Sequence, residues 1–551
     1  MTKKSFSLAL SQDGRQISVL VAFCIVLFFV NLNQWDLWNP DEPRYGQVAR
    51  EIVQGGDWIL MHSNGKVYTD KPPFFFWAIA FSSFLWQGFT SFSVRFPSAL
   101  FATLTVLLVY FLGRSLHQSR SGFFSGLILA TSFEFAYLAT RANIDATLTF
   151  FTTVSLFCFF RWHQGFFSPS PHPLISKTLC IYGFYVSMAL ATVTKGPVGF
   201  ILPLLVSLTY LLVQRDWKGM KEMRPLTGMV LFMAIVFAWY LPAIWKGGQV
   251  YLNETLFKHT LDRYSKGWSH VKPIYYYFIN FPAEFLPWVF FLPGAIVYGF
   301  SKEETEKRKG FLFLFIWFAA IFLFFTLSKG KRGLYLLPLY PATSLMIGPL
   351  LEGFSSNTLG SFNRKWMTLP LYGLMILMVI AGIVLPWGVS IRFPDFLLPS
   401  LPIALLLAGG SLGLFFLTRL KRYPAALLLL AGIVAGGFFY GLRVVFPLVN
   451  PYKSARFICQ EITSRIQPGE RLGVYGGFGT GPYNFYTGIV PIHEMEKKEE
   501  LFAFLQSTGR VFCLLQFRDF SILQRMKEAP AFAFLSRRKV GGDDIVLISN
   551  R

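Results

Sequence analysis

The chain has 551 residues, 53% of them hydrophobic and only 15% charged, with a mean hydropathy of +0.47. A soluble domain carries roughly 25% charged residues, so this composition excludes a large soluble enzyme and points to an integral membrane protein. The formal net charge of +22 then reads as cytoplasmic positive loops plus a site for anionic lipid or phosphate. It does not read as a nucleic-acid surface, because no basic soluble domain can be separated from the rest.

The first apolar run, Ile17 to Val30, lacks a small-residue cleavage site and is expected to stay as an anchor. Further runs of spanning length fall near 96–113, 121–139, 144–161, 178–194, 197–214, 226–245, 282–300, 310–327, 333–350, 369–389, 400–418 and 424–441. With the first they predict about thirteen transmembrane helices. The aromatic run 74–89 is short. If it dips into the outer surface without crossing, the basic segments 113–120, 214–224, 302–310 and 419–423 all fall on the side of the basic N-terminus, as the positive-inside pattern requires. The outer, periplasmic side then receives a first loop at 34–95 and everything after 442. From about 451 the composition changes. "ERLGVYGG", "GRVFCLLQF" and "DDIVLISN" read as short strands, with "KEELFAFLQ" as a helix between them. The expected division is a membrane domain over 1–445 and a small α/β domain over 446–551. Cys24, Cys158 and Cys180 read as packing residues. Cys459 and Cys513 could pair if the tail faces an oxidising space. No internal repeat is visible.

The stretch "WNPDEPRYGQVARE" (38–51) follows the first anchor. Pro40 suits a first helical turn. Tyr45, Val48, Ala49 and Ile52 then follow helical spacing, and Gly55-Gly56 stops the run. This predicts an amphipathic helix lying on the bilayer, with Asp41 and Glu42 at its positive end. Helix capping accounts for one acid better than for two. Lys71, in "KVYTDKPPFFFW", precedes two prolines and could simply snorkel. Arg141 and Asp145 share a short loop, and Lys195 lies at a span end. His259 and Arg263 are four apart. "SKGKRGLY" brings Lys329, Lys331, Arg332 and Tyr335 to a span entrance. Each alone reads as an interfacial anchor. Together they outline a ring of cations on one face, with Asp41, Glu42 and Asp145 among them. Two or three such cations hold a phosphate and stabilise the charge that grows on it as a leaving group. The carboxylates would bind an acceptor or take its proton. No cofactor is read from the sequence. His259 with a carboxylate could hold a divalent metal, but no tight His/Cys motif accompanies it.

"NPDEPRYGQVAREIVQGGDWIL…GKVYTDKPPFFFWAIA…SVRFPSAL" resembles the N-terminal signature of bacterial lipid A aminoarabinose transferases and their protein O-mannosyltransferase-like relatives. "LATVTKGPVGFILP" and "LSKGKRGLYLLPLYPA" resemble two later signatures, in the same order, so the likeness covers about the first 350 residues. The resemblance implies an α-helical GT-C glycosyltransferase of the bacterial inner membrane. Such an enzyme takes a sugar from a polyprenyl-phosphate carrier on the periplasmic side with inversion. It implies Asp41 and Asp145 as the loop acids. Tyr68 and Lys71 would lie in a "Y-x-x-K-P-P" element near the carrier phosphate, with Arg263, after His259, and Tyr335 completing the pocket. Glu42, Tyr45, Lys195, Lys329 and Lys331 are further candidates. The favoured acceptor is lipid A and the released product undecaprenyl phosphate, from a monomer. An ionised lipid A phosphate needs no base, so Asp41 would position the sugar; a hydroxyl acceptor would need Asp41 as base. The rivals are the same fold acting on protein Ser/Thr or another surface glycan, and a lipid-phosphate transporter. A transporter should carry mid-span polar residues and related halves, and neither is seen.

Overall fold

Apolar segments of this length can satisfy their backbone polar groups within a bilayer as helices, and helices carry most of the chain. The computed structural model describes residues 12–164, 176–255, 271–301 and 305–551. Among these, nine helices are long and apolar enough to cross a membrane, from Gln12–Phe29 to Tyr423–Lys453. Two further expected spans are broken: Ser119–Ala130 and Phe133–Ala139 meet at 70°, and Tyr276–Glu284 and Trp288–Phe300 at 107°. Counting each bent pair as one crossing gives eleven. The remaining two of the expected thirteen are also helices. Val198–Gln214 has only 17 residues, and Lys177–Lys195 has a lysine at each end and six hydroxyl side chains along it. The protein is thus a mostly helical, multi-pass membrane protein with a small sheet. Helix Phe74–Leu85 has 12 residues. At 1.5 Å per residue it is about 18 Å long, well short of a ~30 Å hydrocarbon core.

Packing sorts the helices by their faces. Tyr340–Ser355 is buried nearly all round, as a helix at the centre of a bundle should be. Ser361–Arg392 instead exposes Ile376, Ile380, Ile383 and Trp387, one stripe at helical spacing that suits lipid. The two bent pairs meet at their elbows. Phe133 N donates to Leu286 O at 3.2 Å, and Trp288 Nε1 donates to Thr131 Oγ1 at 3.0 Å. Each break therefore supplies polar groups that the other satisfies, which is how irregular backbone survives inside a bundle.

The first loop folds as helix Asp41–Gly55, a hairpin of β1 (His62–Ser63) and β2 (Lys66–Val67), and helix Phe74–Leu85. Gly56, at φ 70°, ends the first helix in the left-handed region and donates its N–H to Ile52 O, a termination that glycine adopts at little cost. The apolar face of this helix departs from expectation. Tyr45, Val48, Ala49 and Ile52 are buried against Phe75, Phe76 and Phe485, so protein, not lipid, covers it. The hairpin turns at Asn64-Gly65, both with positive φ, the pair that a two-residue turn favours.

The helix that begins at Tyr423 runs to Lys453, so the expected boundary at 445/446 falls inside it. The α/β unit follows. Its sheet has the order β4-β3-β5-β7-β6, from β3 (Arg471–Tyr475), β4 (His493–Met495), β5 (Val511–Gln516), β6 (Ala533–Val540) and β7 (Asp543–Ser549). β3 pairs in parallel with β4 and β5, whereas β7 is antiparallel to β5 and β6. Both faces are covered: along β5, Phe512 and Leu514 join one core while Val511, Cys513 and Leu515 join the other. Cys459 lies in the first core and Cys513 in the second, on opposite faces of the sheet, and both are free thiols. The pairing considered from sequence is absent.

This unit docks on the first loop. Asn64 donates to Ile492 O and Glu494 Oε1 and accepts from Asn484 Nδ2. Arg50 donates to Phe485 O at 2.8 Å, and Tyr486 Oη donates to Leu37 O at 3.0 Å.

Candidate active site

Asp41 and Glu42 open the same helix, yet their surroundings differ. Glu42 is fully buried. Its Oε1 accepts from Arg95 Nε at 2.7 Å and Ala142 N at 3.0 Å. Its Oε2 accepts from Trp38 N at 3.0 Å, Arg95 Nη2 at 2.9 Å and Arg141 Nη2 at 3.3 Å. Burial alone would raise this carboxyl; Arg95 and Arg141 outweigh it and hold it down to about 2. Arg95 is equally saturated. Besides Glu42 it donates to Leu32 O, Trp35 O and Asp36 O, so all five of its N–H donors are used, and its guanidinium lies 4.1 Å from the Trp35 ring centroid. A carboxylate so enclosed has no face left for a substrate. Glu42, expected among the catalytic acids, ties the first anchor, the loop helix and the Arg141 loop together.

Asp41 is partly open. Its Oδ1 accepts from Arg44 Nη2 at 2.8 Å and its Oδ2 from Arg332 Nη2 at 3.3 Å. Arg44 reaches on to Asp70 Oδ2 at 3.6 Å, and Lys71 Nζ donates to Asp70 Oδ1 at 2.8 Å. Tyr45 and Tyr68 line this side. Burial pushes both phenols up, the Tyr68 phenol against the opposing pull of Arg44. Tyr68 Oη and Arg44 Nε are buried without a hydrogen-bond partner, so two polar atoms beside Asp41 remain unsatisfied. On the other side Lys195 Nζ pairs with Asp145 and lies 4.6 Å from the Tyr335 ring centroid. Arg332, three residues before Tyr335, joins this cluster to Asp41. Asp41, Tyr45, Tyr68, Lys71, Asp145, Lys195 and Tyr335 thus meet in one network at the loop end of the bundle.

Two expected cations stand elsewhere. Lys331 is buried, and its ammonium donates to the carbonyls of Ser328 and, at 3.3 Å, Lys272. Its neighbour Arg332 is the side chain that reaches the acids. Lys329 is exposed. His259 and Arg263 lie outside the described residues. Among the described residues, no three His, Cys, Asp or Glu side chains are grouped so as to hold a metal.

A family model of dolichyl-phosphate-mannose-protein mannosyltransferases matches residues 70–241. An uncharacterised protein of Aquifex aeolicus is 27% identical over 89% of this chain and 90% of its own length. The undecaprenyl phosphate-alpha-4-amino-4-deoxy-L-arabinose arabinosyl transferase 2 of Proteus mirabilis is 30% identical over 58% of this chain and 56% of its own; the match thus spans just over half of that relative. In three dimensions, the crystal structure of ArnT from Cupriavidus metallidurans bound to undecaprenyl phosphate superposes with a TM-score of 0.82 at 20% identity. The match covers 98% of this chain and 99% of that one.

The chain has the fold of ArnT.

In this ArnT-like frame the residues that sequence reasoning missed are Arg95, Asp70, Glu134 and Glu284. Arg95 had a signal: an arginine inside an apolar helix needs a partner. Asp70, beside Lys71, had none beyond its place in "YTDKPP". Glu134 and Glu284 each stand alone in apolar sequence, at the two helix breaks.

Proposed function

We propose that this glycosyltransferase moves 4-amino-4-deoxy-L-arabinose from undecaprenyl phosphate to lipid A at the periplasmic face of the bacterial inner membrane. The observation that carries this reading is the ArnT-like fold along nearly the whole chain, together with one polar network centred on Asp41. Lys71, Lys195, Tyr68 and Tyr335, with His259 and Arg263, hold the carrier phosphate. Tyr45, Asp41 and Asp145 orient the sugar. An acceptor phosphate oxygen attacks the anomeric carbon from the face opposite the carrier. The bond from that carbon to the carrier-phosphate oxygen breaks, its electron pair leaves with undecaprenyl phosphate, and the configuration inverts. The cations neutralise charge as it grows on the departing phosphate. A phosphate acceptor is already ionised, so Asp41, held between Arg44 and Arg332, need take no proton. In this reading the enzyme works as a monomer, with the first loop and the α/β unit both periplasmic.

The family-model match over 70–241 favours one second reading, transfer to protein Ser/Thr, in which Asp41 would accept the hydroxyl proton. Mass spectrometry of lipid A and of glycoproteins, from cells with and without the chain, separates the two. Aminoarabinose on lipid A that disappears with the chain is the expected result. Unchanged lipid A alongside a lost protein glycan overturns the first reading for the second.

A further inference from the structure

Glu134 opens the second half of one broken helix, and Glu284 closes the first half of the other. Because the elbows are hydrogen-bonded to each other, the fold brings these two acids together, near enough for the charge of Glu284 to act on Glu134. Glu284 Oε1 lies against Gly333, where an ideal Cβ would sit 1.9 Å from it. The residue before Gly333 is Arg332, which pairs with Asp41. The acid pair therefore adjoins the Asp41 network. Glu284 Oε2 is buried with no hydrogen-bond partner. Tyr340 is 0% exposed, its hydroxyl is likewise unpartnered, and Glu284 and Glu134 are the charges that act on it.

Among the described residues Arg141 and Arg332 also act on Glu134, but their hydrogen bonds go elsewhere, Arg141 to Glu42 and Tyr137 and Arg332 to Asp41. Two adjacent carboxylates resist ionising together unless a cation joins them. The three oxygen-bearing groups can act as acceptors, and a primary ammonium brings three N–H donors to match. Among the described residues no third acid, histidine or cysteine completes a metal site.

We propose that Glu134, Glu284 and Tyr340 form a subsite that reads the ammonium group of the transferred sugar. The inference rests on the reading given under Proposed function, in which the donor is positive at its amino group and negative at its phosphate. The acid pair takes the first end, and Lys71 and Lys195 take the second.

The test uses the full-length protein in detergent. Two carrier-linked donors are compared, aminoarabinose and its N-formyl counterpart, whose amide nitrogen carries no charge. Glu284→Gln should lower the ratio of kcat/KM for the amino donor over the formyl donor by about 10- to 100-fold, the usual effect of losing a hydrogen bond to a charged group. Tyr340→Phe should lower it less. An unchanged ratio, with both donors losing equally, overturns the subsite. A binding arm needs no turnover. Free 4-amino-4-deoxy-L-arabinose should raise the Tm of the wild type more than L-arabinose does, and Glu284→Gln should abolish the difference. Equal shifts from the two sugars overturn the inference, as does a Glu284-dependent shift from magnesium with none from the amino sugar. A wild type that binds the amino sugar but turns over no aminoarabinose donor sinks the proposed reaction and leaves the subsite standing.

Discussion

Asp41 and Glu42 are neighbours in sequence and opposites in structure. Both carboxylate oxygens of Glu42 are matched, as are all five donors of Arg95. Around Asp41 the pairing runs from Lys71 through Asp70 and Arg44 to Arg332, with Tyr68 Oη and Arg44 Nε unsatisfied. A saturated node can hold elements in place but cannot greet a ligand. An unsaturated one can exchange its partners for a substrate's. In the proposed reaction the first would serve as scaffold and the second would face the substrate.

The sharpest way to break the contrast is Arg95→Ala. It leaves the Glu42 carboxylate buried with two of its five hydrogen bonds gone, which should cost about 3–5 kcal/mol of stability, seen as loss of folded protein on size exclusion and a lower Tm. Asp41→Asn should do the reverse, with turnover down about 100- to 1,000-fold and the Tm within about 3 °C of wild type. If Asp41→Asn melts like Arg95→Ala, the two acids belong to one scaffold and the contrast fails. Gly46→Ala tests the docked α/β unit, since a Cβ at Gly46 would sit 2.7 Å from the Phe485 ring. It should cost about 1–3 kcal/mol, as overpacking does, and speed proteolysis of the tail.

Acid sharpens the comparison further. The Glu42 carboxyl falls from its ordinary 4.5 to about 2 on folding. Its contribution is therefore complete above pH 4.5 and is lost as pH falls from there through about 2. Thermal melts at successively lower pH should show that loss, and Glu42→Gln should flatten that part of the profile. The smallest effect belongs to Lys329→Ala, an exposed position where stability should change by less than about 0.5 kcal/mol and turnover should stay near wild type.

Much of this was legible before any coordinates. The helix at Asp41 begins after its proline and ends at its two glycines, as the sequence pattern required. What the pattern could not show was which acid points inward. Residues one apart on a helix diverge by about 100°, and the Glu42 partner Arg95 lies 53 positions away. Lys331 and Arg332 were both legible as cations, but in the extended segment before Gly333 only Arg332 reaches Asp41. The run 121–139 read as one span because a break at Thr131-Ser132 costs no hydrophobicity; only Trp288, far along the chain, reveals how the break is satisfied. In the tail, β3, β5 and β7 carried apolar segments long enough to read. Strand β6 hid its nature in "SRRKV", the charges that an edge strand uses to discourage pairing, and β4 has only three residues. The Asn64-Gly65 turn carries a clear signal, because Asn-Gly suits the positive φ angles of a two-residue hairpin turn.

The docking of Phe485 beneath the loop helix has a consequence for biosynthesis. Arg50 and its partner carbonyl at Phe485 are 435 positions apart. At roughly 10 residues per second, the loop helix waits about 40 s with part of its greasy side uncovered. Ribosome-bound or truncated chains must therefore present that surface to whatever chaperones are at hand, and the α/β unit, translated after the bundle, relieves the need.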